Sequence, residues 1–144
     1  WTTARTLQES WGGGIVTIGR EQGRATVYFA SPLGVQVSRD GGTTWAALNR
    51  GLDTTSLLAD PRGGPLPAAE EAKLRRSVGV YSIAPQSDRA RVLLGGSDGL
   101  YALGGEGWTK TPLLAGQLVR EVFYDLQGNA YARTDAGVSR LRGV

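Results

Sequence analysis

The feature that most constrains this chain is an internal repeat. Residues 27–38, 92–103 and 130–141 align without gaps. Each begins with a short apolar run, passes through a polar turn closing on Gly34, Gly99 or Gly137, and continues as a second alternating run. Alternation of this kind, bounded by turn residues, predicts β-strands joined as hairpins. An earlier strand is expected before each pair, at 14–19, 78–84 and 121–124. A fourth, opened by tryptophan, is expected at Trp45 and Trp108. Ile18 precedes Val27 by 9 residues and Ile83 precedes Val92 by the same 9, so the first two repeats share one phase.

Four antiparallel strands repeated at nearly forty residues describe a β-propeller blade. Gly99 and Gly137 are 38 residues apart, while Gly34 and Gly99 are 65 apart. The excess is an insertion. The predicted fold is therefore all-β, with about three four-stranded antiparallel blades at about 14–52, 78–114 and 117–144, and an insertion at 53–77. The insertion's tail, 67–76, has Pro first, acidic residues next and Arg75-Arg76 last, the order of a short helix. The third repeat stops at Val144, where its Trp-led strand would begin, and Trp1-Thr2-Thr3-Ala4 resembles Trp108-Thr109-Lys110-Thr111. Residues 1–7, or a partner, are expected to supply that strand. Three blades do not close a ring, since propellers have about four to eight. The expectation is a partial propeller, or half of an oligomeric ring, with two apolar outer faces that a second copy or another protein covers.

Composition narrows the chemistry. The 144 residues include 22 glycines, roughly twice the usual share, as expected for many tight turns. With no cysteine there is neither a disulfide nor a thiolate metal site. With no histidine, Ser-His-Asp and Cys-His mechanisms within the chain are excluded. No metal site, cofactor-binding site or phosphate loop is predicted, because Gly12-Gly13-Gly14 lacks the Lys-Ser/Thr ending of such a loop. No apolar run is long enough for a transmembrane helix. The net charge of +3 comes from scattered arginines interleaved with acids rather than a basic stripe, which argues against nucleic acid.

One turn carries a specific motif. Ser38, Asp40, Gly41, Gly42, Thr44 and Trp45 satisfy Ser-x-Asp-x-Gly-x-Thr-Trp between the expected third and fourth strands. This resembles the Asp-box, or bacterial neuraminidase, repeat of sialidases, the sortilin family, some glycosidases and photosystem II assembly factors. The second repeat keeps Trp108 but has lost the Ser and Asp. A structural role is expected: Asp40 accepting from backbone N–H groups of its own turn, and Trp45 filling space between blades. The resemblance implies that the box lies on the face opposite the ligand site.

The expected binding face comprises the loops between second and third strands and the inter-blade connections. Its candidates are Ser31, Asp98, Arg133, Asp135, Arg75 and Arg76. Asp98 and Asp135 lie in equivalent loops of the repeat, and a carboxylate pair is the apparatus of glycoside hydrolysis. Asp before Gly or Ala-Gly is also a common turn former. The sialidase Phe/Tyr-Arg-Ile-Pro signature is absent. The sequence thus predicts a non-catalytic propeller scaffold or protein-binding module in a larger assembly, extracytoplasmic or secreted. The alternative is a glycan-binding or glycoside-hydrolysing propeller whose catalytic residues lie outside this chain.

Overall fold

A computed structural model of the chain describes residues 15–31, 34–52, 80–86 and 91–144. The insertion at 53–77, with Arg75, Arg76 and the helix expected at 67–76, lies outside the described residues, as does the segment 1–7.

The described residues form an all-β fold of three antiparallel sheets. The first sheet has the order β1(Ile15–Glu21), β2(Arg24–Ser31), β3(Gly34–Ser38), β4(Ala46–Ala47). The second is β5(Val80–Pro85), β6(Val92–Gly96), β7(Gly99–Gly104), β8(Gly107–Lys110). The third has three strands, β9(Glu121–Tyr124), β10(Ala130–Thr134) and β11(Gly137–Leu141). Every pairing joins strands consecutive in sequence, so local turns set the register. Gln22 and Gly23, with φ of 50° and 78°, form the tight β1–β2 turn, and Ile18 pairs directly with Val27 across it. Gly34, Gly99 and Gly137 start the third strand of each sheet with φ of 119°, 151° and 121°, a region closed to most L-residues.

Strand alternation decides which side chains meet between sheets. In the first sheet Tyr28, Ala30, Val35 and Val37 share a face, which packs on Ile83, Val92, Leu94, Tyr101 and Trp108 of the second. The other face of the second sheet presents Ala84, Leu93 and Leu100 to Val122, Ala130, Ala132 and Leu141 of the third. Two cores result, and the second sheet lies between them. The first strands are neighbours, β1 beside β5 and β5 beside β9.

The sheets approach closely where side chains are small. A Cβ on Gly19 would stand 2.5 Å from Cβ of Pro85, and one on Gly95 would stand 2.7 Å from the carbonyl oxygen of Val119. Hydrogen bonds cross both seams. Trp108 donates through Nε1 to Leu48 O at 2.7 Å and through its backbone N to Arg50 O at 2.8 Å. Ser82 Oγ accepts from Val122 N at 3.0 Å.

The two outer faces differ, which corrects the expectation of two apolar ones. That of the first sheet carries Val16, Ile18, Val27 and Phe29, with Val16 and Ile18 62% and 68% exposed at the β1 side while Phe29 is buried. That of the third mixes Phe123, Tyr131 and Val138 with Glu121, Arg133 and Arg140. Arg133 occupies the repeat position held by Ala30 and Gly95, the two small residues at the inter-sheet contacts.

Candidate functional site

Antiparallel alternation places the β1–β2 turn and the Asp-box turn at one end of the first sheet, and the β2–β3 turn at the other. The Asp-box end is tied together by Glu21 at the end of β1. Its carboxylate accepts from Arg39 Nε at 2.7 Å and from the Tyr28 hydroxyl at 2.8 Å. The Arg39 hydrogen bond, against the opposing effect of burial, holds the Glu21 carboxyl below its ordinary range. Burial pushes the Tyr28 phenol well up, and Glu21 adds to it.

Within the turn Asp40 is the hub. Oδ1 accepts from Ser38 Oγ and Thr44 N, both at 2.8 Å, and Oδ2 accepts from Thr44 Oγ1 at 2.5 Å. Ser38 Oγ in turn accepts from Gly42 N at 2.8 Å. The Thr44 side chain, then its backbone N–H, then Ser38, stabilise the ionised form and bring the Asp40 carboxyl to about 2. Gly41 and Gly42 have φ of 71° and 91°, which lets the backbone curl around the carboxylate. Both carboxylate oxygens of Asp40 thus accept from their own loop.

Trp45 departs from expectation. Its indole N–H donates to Gly42 O at 3.0 Å inside the turn, and its ring is half-buried, outside both cores. Trp108, at the corresponding strand of the second sheet, is 3% exposed and fills the seam between first and second sheets. The inter-sheet role expected for Trp45 belongs to Trp108. The physical reason is placement: Trp108 projects from β8 onto the first sheet, whereas Trp45 precedes β4 and is folded back on its own turn.

Asp98 and Asp135 sit in equivalent turns, and each is engaged within its own sheet. Asp98 Oδ2 accepts from Lys110 Nζ at 2.5 Å and Oδ1 from the Tyr101 hydroxyl at 2.8 Å. Burial raises the Asp98 carboxyl, but the Lys110 and Tyr101 hydrogen bonds outweigh it and the net shift is downward. Asp135 accepts from Arg120 Nε at 2.6 Å, which likewise lowers it. Arg133 is not in the turn where the sequence suggests it. It is a strand residue of β10, paired across the sheet with Glu121 at 3.1 Å on the outer face. Ser31 closes β2 opposite Gly34.

A cavity of about 290 Å³ lies elsewhere, among Gln86 and Arg91 at the ends of β5 and β6, the β9–β10 turn and the residues after β11. Its lining includes Gln86, Arg91, Tyr124, Asn129, Arg140 and Arg142. The sequence gives little warning of it, because its walls come from three separated segments. Only the alternation Arg140-x-Arg142 hints that two guanidiniums share a side.

Comparison with family models, with characterised proteins and with solved structures finds no match to this chain. No helix among the described residues is long and apolar enough to cross a membrane.

Proposed function

We propose that the chain is a non-catalytic, propeller-type scaffold that works by docking protein, a second copy or another chain, against its first sheet. The observation that carries this reading is the outer face of that sheet, where Val16 and Ile18 stand 62% and 68% exposed beside Val27. Neighbouring β-branched side chains left in water favour burial, at about 25 cal/mol per Å² of apolar surface removed from it. The same side of the second sheet is covered by the first, so a further sheet laid on Val16 and Ile18 would continue the stacking already used inside the molecule. Asp98 and Asp135 support the non-catalytic reading, since each is ion-paired and held low, the reverse of what a proton donor requires.

Sedimentation velocity over a range of concentrations tests the self-docking form. A species heavier than a monomer is expected, converted to monomer by Ile18→Asp with an unchanged circular dichroism spectrum. A wild-type chain that stays monomeric throughout sinks self-docking. Turnover of a fluorogenic glycoside, abolished by Asp98→Asn, would overturn the non-catalytic reading altogether.

A further inference from the structure

We infer that the Asp-box end of the sheet stack docks on an anionic lipid bilayer, with Leu126 as the side chain that enters it. This surface stands apart from the protein-docking face and does not depend on it. β1, β5 and β9 run in the same direction. A Cβ on Gly19, near the end of β1, would meet Pro85 at the end of β5, and Gln86, just past β5, donates through Nε2 to Gly128 O of the β9–β10 turn at 3.4 Å. The β1–β2 turn, the Asp-box turn, the β7–β8 turn, the β9–β10 turn and the end of β11 therefore share one end of the molecule. At the opposite end Asp98, Asp135 and Glu121 pair with Lys110, Arg120 and Arg133. At the Asp-box end Glu21 pairs with Arg39 and Glu106 with Arg50, while Arg20, Arg24, Arg140 and Arg142 have no carboxylate partner among the described residues. Asp40 and Asp125, also at this end, accept from N–H groups of their own turns. Unpaired positive charge is thus concentrated at one end.

An independent observation comes from the β9–β10 turn at the same end. Leu126, in that turn, is 101% exposed, the most of any large apolar residue among those described. The turn that carries it is braced. Asp125 Oδ1 accepts from Gln127 N at 2.9 Å and Asn129 N at 2.8 Å, Oδ2 accepts from Asn129 Nδ2 at 2.7 Å, and Gly128 N donates back to Asp125 O at 3.0 Å. A lone apolar side chain in water is commonplace. One set on a braced turn, at the same end as unpaired arginines, matches a surface that is anionic outside and apolar just beneath. A bilayer is such a surface: guanidiniums pair with headgroup phosphates and carboxylates, and an apolar side chain beside them reaches the acyl boundary. The surface of an acidic protein would engage the arginines and leave Leu126 in water.

The test is co-sedimentation of the whole chain with vesicles of equal parts phosphatidylserine and phosphatidylcholine, against vesicles of phosphatidylcholine alone, with soluble polyglutamate as a competitor. Partition into the anionic vesicles is expected, falling as salt is added. Arg24→Gln and Arg142→Gln should each weaken it about fivefold, the effect of one charge near an anionic surface. Leu126→Ala should weaken it about tenfold, through the apolar surface no longer buried. All three side chains are exposed, so the melting temperature should hold in each variant. Absence of partition overturns the proposal, and equal partition into phosphatidylcholine alone removes the arginines from it. Partition undiminished by Leu126→Ala, or abolished by polyglutamate, overturns the lipid and makes an acidic protein the partner of this end.

Discussion

Trp45, just before β4, and Trp108, within β8, stand at the start of corresponding fourth strands of adjacent sheets, yet they live in different surroundings. Trp45 follows a complete Asp box, closes its indole N–H on Gly42 within the turn and stays half-buried. Trp108 follows a hairpin of only two turn residues, Gly105 and Glu106, that has lost the motif, and it is the more deeply buried of the pair. The motif is therefore not what buries a tryptophan. Its hydrogen bonds organise a turn, while burial depends on whether another sheet lies across the face from which the ring projects. Position in the stack separates the two residues, since the first sheet covers Trp108.

The largest expected effect breaks this symmetry directly. Trp108→Ala removes a ring buried at 3% exposure together with its hydrogen bond to Leu48, and should cost about 3–5 kcal/mol. Trp45→Ala should cost about 1 kcal/mol, in proportion to partial burial. Urea denaturation of both variants gives the difference directly, and equal losses would mean that Trp45 also packs at a seam.

Next in size is Ser38→Ala, which leaves the buried Gly42 N–H without its acceptor and should cost about 1–3 kcal/mol. The same change has no counterpart in the second sheet, whose turn lacks the motif. Amide hydrogen exchange should show the loss of protection confined to 38–45.

Smaller and opposite in sign is Thr26→Val. Thr26 is 1% exposed on the face toward the second sheet, and its hydroxyl has no hydrogen-bond partner. Replacing it with a methyl of similar size should stabilise the chain by roughly 1 kcal/mol in the same denaturation experiment.

Acid should distinguish the two turns as well. Asp40 titrates at about 2 in the folded chain, below its ordinary value of 3.8. A depressed folded value means the contribution is complete above the unfolded pKa and disappears as pH falls from about 4 toward 2. Glu21, Asp98 and Asp135 shift the same way and add to the loss. Asp40→Asn should flatten the acid limb of the stability curve while leaving its slope above pH 5 unchanged. An acid limb identical to wild type would remove Asp40 from the account.

Much of the fold was legible in the chain itself. The β-strands and their antiparallel order follow from alternation and from glycines at Gly34, Gly99 and Gly137, because hairpins join neighbours in sequence and short turns fix their register. The internal bonding of the Asp box was legible for the same reason, since Ser38, Asp40 and Thr44 reach one another within a single turn. What lay beyond local reach was decided by packing. Trp108 rather than Trp45 became the seam residue, Arg133 left its expected loop for an ion pair with Glu121 on a sheet face, and Arg91 came to share a cavity with Arg140 and Arg142. A sequence read along one strand reports which side chains share a face. Only the stacking of one sheet on another determines which face is covered, and which distant side chains are brought together at its edge.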